Sequence, residues 1–454
     1  MRLQSRWLGI SPDGVARVLV RVRLYDAHGK ETRLIKGGDF DFTASSGRVQ
    51  WQTRLRFGGP AAIVSTSEAG RIVVRAQAKL PAGIAPARLS IDTRRPGALV
   101  IAAALGPHMA QIGWFPRERD ATLEVIRTEG TRSKIVGLVA APSSTYRDTS
   151  VVPGHHYRYT VRKGGHAIAP VSSLDVPPEV RGETLDALRG KGMWLFFSPS
   201  PRDDNWYGKW DVERIVDLAA AAGLHHIELR VAYGEYWEVT SDAKASIDAL
   251  IDRAAARGIA VIAWTVPREA SFDDLAQSVA AAQYTTAAGH RFGALAIDLE
   301  RGAEFMGSGA AARAALGDYA RLLRAALGKG AVIVATLEDP ALGRLSELNV
   351  PYRTIAANVD ALQPMVYWRA LDPCGDVGEV VRRSIGAIVR AAGRRIPVSV
   401  GGQTAQLSRA GAPSPAQIME SLRASRRAGA IGETFFDWDG TLPTEWDALA
   451  AFRW

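Results

Sequence analysis

Two carboxylates close the otherwise apolar segment "FGALAIDLE", residues 292–300. In an extended strand, alternate side chains lie on opposite faces, so Asp298 and Glu300 share a face with Ala294 and Ala296. A carboxylate that is buried without a partner costs several kcal/mol, which makes a purely apolar setting unfavourable for this pair. The pattern therefore indicates a strand that ends at the floor of a cleft, where acidic groups can exchange protons.

The segments around this strand predict the fold that positions it. From Lys191 onwards, eight strand-like segments alternate with helix-like ones. Several of the helix-like segments end in glycine, at Gly223, Gly258, Gly289, Gly393 and Gly429. The strand-like segments are MWLFFS, HHIELRV, IAVIAWTV, FGALAIDLE, AVIVATLE, ALQPMVYW, IPVSVGG and IGETFFDWD. Eight such units predict a (β/α)8 barrel over residues 182–454, with its chemistry at the carboxyl ends of the strands. The segment after the first strand, residues 196–210, lacks the glycine-rich phosphate loop of a doubly wound sheet.

Polar and aromatic residues occur at the ends of other predicted barrel strands. Aromatic rings stack on the apolar faces of sugars, while carboxylates bind hydroxyls and can protonate a glycosidic oxygen. The candidate substrate-binding residues are Glu228, Arg230, Tyr233, Trp264, Glu338, Gln363, Met365, Trp368, Asp437 and Trp438. Together they predict a site for a glycan.

Ion pairing is the structural alternative for the acidic residues. Asp298 and Glu300 could pair with Arg230 or Arg301 in an inactive barrel. Glu228 is better explained as an internal partner of Arg230, two residues further along the same strand, than as a catalyst.

Packing and capping are the corresponding alternatives for other rim residues. Trp264 and Trp368, taken singly, are more typical of a core than of a sugar platform. Asp437 could cap the loop before Thr441. The seventh strand offers Gln403 and no acid, which disfavours a nucleophile on that strand.

Two motifs resemble those of chitinase-type (family 18-like) glycoside hydrolases. "FGALAIDLE" is similar to the fourth-strand motif Asp-x-x-Asp-x-Asp-x-Glu, and "QPMVYW" to the sixth-strand motif Gln-x-Met-x-Tyr-Asp. The resemblance implies that Glu300 is the general acid, that Asp298 orients an acetamido group, and that Tyr367 helps to hold that group.

The same motifs differ from the family at three positions. Gly293 and Ala296 stand where the first two aspartates would be, and Trp368 replaces the last Asp of the second motif. The Asp-x-Glu pair is also similar to that of lysozyme-like muramidases, whose first-strand Asp is absent from "MWLFFS". Two functions therefore stay open: a glycoside hydrolase of polysaccharide or cell-wall glycan, and a non-catalytic carbohydrate-binding or structural protein, such as a cell-surface or phage-tail component with a degenerate barrel.

Residues 1–180 have the period-two alternation of short β-strands separated by turn residues. "STSEAGRIVVRAQA" resembles the end of a bacterial immunoglobulin-like domain, which we assign to residues 1–95. After the linker-like "TRRPGAL", residues 96–180 resemble a fibronectin type III domain. The matching residues are Trp114, Pro116, Leu123, Val125, Arg127, Tyr146, Asp148 and the stretch 153–159. The predicted fold class is thus multidomain: two all-β sandwiches followed by the α/β barrel.

The distribution of charged residues indicates which kinds of polymer the protein could contact. The net charge of the 454-residue chain is +9, but residues 1–181 hold 27 basic and 14 acidic residues (+13), whereas the remainder holds 29 and 33 (−4). The basic part could contact an anionic polymer, although an arginine-rich solvated surface explains it equally. No nucleic-acid-binding motif accompanies the charge.

Cofactors, membrane and compartment are constrained only weakly. The single cysteine, Cys374, and eight scattered histidines predict neither a disulfide framework nor a metal site, and no cofactor is expected. No apolar segment is long enough for a transmembrane helix, and no intact signal peptide is visible at the start. A glycan substrate nevertheless favours an extracellular or cell-surface location.

Overall fold

The computed structural model divides the chain into two compact units, Met1–Pro178 and Glu179–Trp454. The predicted domain boundary at residue 95 and the predicted start of the barrel at residue 182 lie outside the described residues, as do Cys374 and residues 197–210. The residues that the structure describes are 1–25, 28, 31–32, 40–52, 61–79, 85–94, 98–180, 184–196, 211–234, 236–239, 241–268, 271–302, 305–342, 349–373 and 375–454.

The first half of the first unit is built from antiparallel strands. They are β1 (Arg2–Ile10), β2 (Ala16–Tyr25), β3 (Glu31–Thr32), β4 (Phe40–Ala44), β5 (Arg48–Gln52), β6 (Ala61–Thr66), β7 (Arg71–Ala78) and β8 (Ala87–Asp92). One sheet has the order β1-β2-β6-β5, with β3 paired to β2, and the other has the order β4-β7-β8. Alternate residues of both sheets, such as Val18, Val64, Ile72 and Val74, form one buried cluster. The alternation seen in "RIVVRAQA" therefore corresponds to a strand with one face on a core.

The second half of this unit contains eight further strands. They are β9 (Leu99–Ala104), β10 (Ala110–Phe115), β11 (Thr122–Glu129), β12 (Arg132–Ala140), β13 (Thr145–Asp148), β14 (His156–Lys163), β15 (His166–Ala167) and β16 (Ser172–Asp175). The sheets have the orders β13-β10-β9 and β12-β11-β14-β15, with β16 paired to β14. Trp114, Tyr157 and Tyr159 are buried in their shared core. Antiparallel sheets are thus observed, while the immunoglobulin-like and fibronectin type III assignments stay predictions.

Eight parallel strands of the second unit close into a barrel. They are β17 (Gly190–Leu195), β18 (His226–Tyr233), β20 (Ala260–Val266), β21 (Leu295–Leu299), β22 (Ile333–Glu338), β23 (Ala361–Met365), β24 (Ser399–Gln403) and β25 (Gly432–Phe436). Neighbours in this series are paired, and β17 pairs with both β18 and β25. The short strand β19 (Tyr236–Trp237) folds back antiparallel onto β18. The predicted eight-strand barrel is confirmed, and each of its eight strands overlaps the corresponding predicted segment.

Helices follow the barrel strands, as the alternation predicts. They are α1 (Val212–Ala221), α2 (Ser241–Ala256), α3 (Phe272–Ala282), α4 (Gly309–Leu327), α5 (Tyr352–Ala356), α6 (Trp368–Leu371), α7 (Val377–Ala392), α8 (Pro415–Arg427) and α9 (Pro443–Ala451). A 3-10 turn, Leu185–Leu188, precedes β17. Among the described residues, no helix combines the length and apolar character needed to cross a lipid bilayer.

Local chemistry sets several helix ends. Asp211, Ser271, Asp376 and Ser414 accept backbone N–H groups in the first turns of their helices. Gly393 ends α7 in the left-handed conformation that favours glycine. The predicted helix stop at Gly289 is displaced, because α3 already ends at Ala282 and Gly289 belongs to a later turn.

Strand β21 has the two faces that its sequence predicts. Ala294 and Ala296 belong to a buried cluster with Trp194, Ile262, Trp264 and Val334 from neighbouring strands, which lies inside the barrel. Leu295, Ile297 and Leu299 are fully buried on the other face, where α3 packs. Because the interior is filled with side chains, groups that contact a ligand can gather only towards the open ends of the strands.

Candidate active site at the carboxyl end of the barrel

Asp298 lies almost completely buried near the carboxyl end of β21, with 5% of its surface exposed. The indole Nε1–H of Trp264 donates to its Oδ2 at 3.3 Å, and Oδ1 has no hydrogen-bond partner among the described residues. Burial, and after it the charge of Glu300, raises the pKa of Asp298 well above its ordinary value. Burial of this kind favours the protonated form of a carboxyl.

Glu300 follows directly after β21 and is partly buried. Burial, and after it the charge of Glu338, raises its pKa to about 7. The like charge that adds to burial is thus that of Glu338 on the neighbouring strand β22, not that of Asp298 on the same segment. A carboxyl whose pKa lies near 7 is suited to donate a proton at neutral pH.

The ion pairs considered from the sequence are not the ones that form. Arg301 donates to Glu338 with Nη2 to Oε2 at 2.6 Å. Among the described residues, neither Asp298 nor Glu300 forms an ion pair. The two carboxyls at the end of β21 are therefore not neutralised by the nearby arginines.

Arg230 pairs with Glu238 rather than with Glu228. Its Nε and Nη2 each donate to one carboxylate oxygen of Glu238 at 3.0 Å, which is a bidentate arrangement. The guanidinium carbon also lies 5.1 Å from the ring centroid of Phe196, 5.4 Å from that of Tyr233 and 5.9 Å from that of Trp264. Arg230 thus lies between three rings, of which Tyr233 and Trp264 were predicted from the sequence to bind a sugar.

Glu228 is completely buried inside the barrel. Its Oε1 accepts from Gln363 Nε2 and from Thr434 Oγ1, both at 2.7 Å, while Thr336 donates to Gln363 Oε1 at 2.6 Å. Desolvation raises the pKa of Glu228 to about 7. Glu228 and Gln363 therefore form part of a polar layer beneath the cleft, with no exposed surface for a ligand.

Tyr367 connects the acidic pair to the end of β25. Burial raises the pKa of its phenol, and the charges of Asp298, Glu300 and Asp437 add to that effect. Asp437 accepts the backbone N–H of Gly440 at 2.8 Å, which is the capping contact considered from the sequence. The four side chains thus lie close enough to influence one another electrostatically.

The remaining predicted rim residues are mostly buried. Met365 and Trp438 are each 8% exposed, and Trp368 is 1% exposed. Trp438 packs edge-on against Trp446 with 4.8 Å between ring centroids. In this structure Tyr233 and Tyr367 therefore offer more ring surface than the tryptophans do.

Some residues at this end of the barrel were not singled out from the sequence. Phe196, Glu238, Thr434 and Asp439 contribute as described for the first three, while burial, and after it the charge of Asp437, raises the pKa of Asp439 to about 6. Asp439 could have been found from the sequence, because it ends "FFDWD" two residues after Asp437 and so shares its face in an extended strand. Glu238 lies beyond the strand in a hairpin, so no strand-end rule would select it.

Comparison with known proteins gives fold-level relatives only. No protein-family model and no curated protein sequence matches this chain. Similar solved structures include the spore cortex-lytic enzyme SleL of Bacillus cereus (13% identity, 64% of this chain and 79% of that chain, TM-score 0.40). Others are the PgaB (BpsB) glycoside hydrolase domain of Bordetella bronchiseptica (13%, 57% and 95%, 0.39) and a chitinase of Chromobacterium violaceum (12%, 58% and 100%, 0.39). A function for this chain has to be argued from its own site.

Proposed function

We propose that the barrel is a glycoside hydrolase with Glu300 as its general acid. The observation that carries this proposal is the pair Asp298 and Glu300 at the carboxyl end of β21, where no arginine among the described residues neutralises either carboxyl. Two acids without ion-pair partners at the mouth of a barrel lower the stability of the fold. A purely structural protein would gain nothing from keeping them there.

The chemistry of the proposed reaction is proton transfer to a leaving group. The carboxyl of Glu300 donates its proton to the glycosidic oxygen as the bond to the anomeric carbon breaks, and water supplies the replacing hydroxyl. A pKa of about 7 keeps a large share of Glu300 protonated at neutral pH. In its ionised form, the carboxylate of Asp298 stabilises the positive charge that develops on the sugar. The hydroxyl of Tyr367, whose phenol is close enough to Asp298 and Glu300 to feel their charges, is proposed to bind the same sugar.

The small residues at positions 293 and 296 do not support a chitinase-like preference for N-acetylated sugars. A side chain at position 293 would meet Ala187 at 2.8 Å from its Cβ, so the first aspartate of the family motif has no room here. The network that this aspartate and the one at position 296 would complete is therefore replaced by small residues. We propose polysaccharide or cell-wall glycan as the substrate class, without restricting it to N-acetylated sugars.

The test is a panel of polysaccharides assayed for released reducing ends. Wild-type protein is expected to cleave at least one of them, and Glu300→Gln is expected to lose about 10²- to 10⁴-fold in rate, because Gln keeps the shape but carries no transferable proton. Glu433→Gln is the matched control. Glu433 is a buried glutamate whose pKa is likewise raised to about 7, but it lies outside the site and accepts a hydrogen bond from Ser421 Oγ at 2.5 Å.

A carbohydrate-binding protein without catalysis is the second candidate. It is favoured by the small residues at positions 293 and 296, where the chitinase-type motif has aspartates. Binding of a glycan by the wild type without release of reducing ends, unchanged in Glu300→Gln, would support it. An extracellular or cell-surface location belongs to both candidates as a proposal.

A further inference from the structure

The position of the proton within the acidic pair decides whether Glu300 can act as an acid. This question rests on the proposed hydrolase function. Asp298 is more deeply buried than Glu300, and burial favours the neutral form of a carboxyl. Burial alone would therefore keep the proton on Asp298 and leave Glu300 ionised, which is the wrong distribution for general-acid catalysis.

Two groups at the site oppose this effect of burial. The Trp264 Nε1–H donates to Asp298 Oδ2 at 3.3 Å, a contact that stabilises the ionised carboxylate. The positive charge of Arg230 acts in the same direction on Asp298. Trp264 is itself 5% exposed and packs against Trp194 and Phe196 with 6.2 Å between centroids, so its indole has little freedom to turn away.

The ion pair between Arg230 and Glu238 keeps the Arg230 guanidinium beside the ring of Trp264. Glu238 holds the Arg230 guanidinium through two bonds of 3.0 Å, and that guanidinium lies 5.9 Å from the Trp264 ring centroid. Both groups of the pair are largely buried, with 12% and 6% of their side chains exposed. Arg230 is thereby fixed beside the ring rather than free to pair with Asp298.

We propose that Trp264 is a positioning residue, which donates its indole N–H to Asp298 so that the proton of the acidic pair resides on Glu300, and that the Arg230–Glu238 pair supports it in this role. The other titratable or charged groups that act on Asp298 are Glu300 on its own strand, Glu228 on β18, and Tyr367 after β23. Glu338, held by Arg301, acts on Glu300.

Trp264→Phe tests the proposal, because Phe keeps a ring in the cluster and removes only the donor and part of the volume. Without the N–H, ionisation of Asp298 becomes harder. The rising limb of the pH–rate profile is therefore expected to move to higher pH by about half a unit or more, with kcat reduced roughly ten-fold at neutral pH and KM changed little. Trp114→Phe is the matched control, since its indole is fully buried in the core of the first unit and its N–H has no hydrogen-bond partner within the described part of the chain. It should lower thermal stability without moving the profile.

A spectroscopic measurement separates this proposal from the hydrolase proposal. In ¹⁵N-tryptophan-labelled protein, the indole resonance that disappears in Trp264→Phe should shift with pH in the wild type, and Glu300→Gln should change the midpoint of that shift. A Trp264 resonance that does not titrate would overturn the inference, even if glycans are hydrolysed. A titrating resonance in a protein that cleaves no glycan would instead refute the hydrolase proposal, while the hydrogen bond from Trp264 to Asp298 would stand.

The double variant Arg230→Met, Glu238→Gln covers the case in which Trp264→Phe does not fold. It removes the ion pair without leaving an isolated buried charge. The midpoint of the Trp264 indole shift is expected to rise, because Asp298 loses a nearby positive charge that favours its ionised form. An unchanged midpoint would remove Arg230 and Glu238 from the proposal.

Discussion

Buried acids are treated in opposite ways in the two units of this protein. In the first unit, Asp148 accepts from Arg127 Nη1 at 2.8 Å, from Tyr159 Oη at 2.9 Å, and from the backbone N and Oγ of Ser150 at 2.9 and 2.7 Å. In the barrel, Asp298 has a single indole donor and an unpartnered oxygen.

The pKa values of the two carboxyls differ accordingly. Burial acts to raise the pKa of Asp148, but the bonds from Ser150 and Tyr159 and the charge of Arg127 together lower it. The pKa of Asp298 stays raised because too few partners oppose burial. A carboxylate with many hydrogen-bond partners stabilises a core, whereas a carboxyl with few partners can change its protonation state during a reaction.

The largest effect is expected at the satisfied site. Asp148→Asn removes the charge opposite Arg127, whose side chain is 6% exposed, and leaves a buried guanidinium unpaired. We expect a loss of about 3–5 kcal/mol in the free energy of unfolding, measured by chemical denaturation. Replacing the pair together, as Arg127→Met with Asp148→Leu, should cost less than the single change. Equal losses would mean that the charge pair is not what stabilises this core.

A second satisfied charge lies at the opposite, amino-terminal end of the barrel. Lys191 is 1% exposed, and its Nζ donates to the carbonyls of Ala222 and Phe452 at 2.7 and 2.6 Å and to that of Leu449. Lys191→Met keeps the length but leaves three carbonyls without their donor, so we expect a loss of about 3 kcal/mol in unfolding free energy. Hydrolysis at temperatures below the transition should be unchanged, because this end of the barrel is remote from the site. A loss of activity in folded protein would contradict the division between structural and chemical ends.

Asp298→Asn should have a much smaller effect on stability. Asn can still accept from Trp264, and the burial of an unsatisfied acid is removed, so the change in unfolding free energy should stay within about 1 kcal/mol and can favour the variant. A loss as large as that of Asp148→Asn would show that Asp298 has strong partners after all.

Asp298 and Asp148 contribute to the pH dependence of the unfolding free energy with opposite signs. The folded protein binds more protons at Asp298 than the unfolded chain does above its ordinary pKa of 3.8. Its contribution therefore makes stability fall as pH rises from about 4 towards the raised folded value. For Asp148 the folded pKa is lowered, so its stabilisation is present above 3.8 and is lost as pH falls through the folded pKa. Urea denaturation at a series of pH values, taking the difference between wild type and each variant, measures both slopes.

The smallest effect concerns the unequal charge of the two units. With a balance of +13, residues 1–181 should contact anionic wall polymer weakly, and the contact should weaken further at high salt because screening shortens its range. Co-sedimentation of the full chain with purified cell wall at low and high salt measures it. Reversing the exposed Arg158 and Arg162 of β14 to Glu should weaken it further. Binding that ignores salt would leave these strands without an electrostatic role.

The architecture of the barrel could be predicted because its signals are local. Eight apolar strand segments separated by helix-like segments and glycine stops correspond to eight paired parallel strands. Alternation along β21 was sufficient to predict that Ala296 and Asp298 share a face and that Leu295 and Ile297 lie on the other. The roles of Glu300, Asp298 and Tyr367 stay predictions, as does the assignment of residues 1–180 to two known domain families.

The partners of the polar residues could not be predicted, because they come from distant parts of the chain. Arg230 was expected to pair with Glu228, two residues away, but it binds Glu238 in the following hairpin. Glu228 instead binds Gln363 and Thr434, which lie 135 and 206 residues further along.

The sequence by itself determined the order of the strands, the face that each side chain takes, and the presence of two acids at the end of a buried strand. These properties depend on periodicity and on the free energy of burying apolar surface, both of which act within a few residues. Only the tertiary structure decided which acid is neutralised and which is left unpaired. Closing the barrel brings Trp264 rather than an arginine into hydrogen-bonding contact with Asp298, and electrostatic free energies in a buried site depend on such distances and on burial.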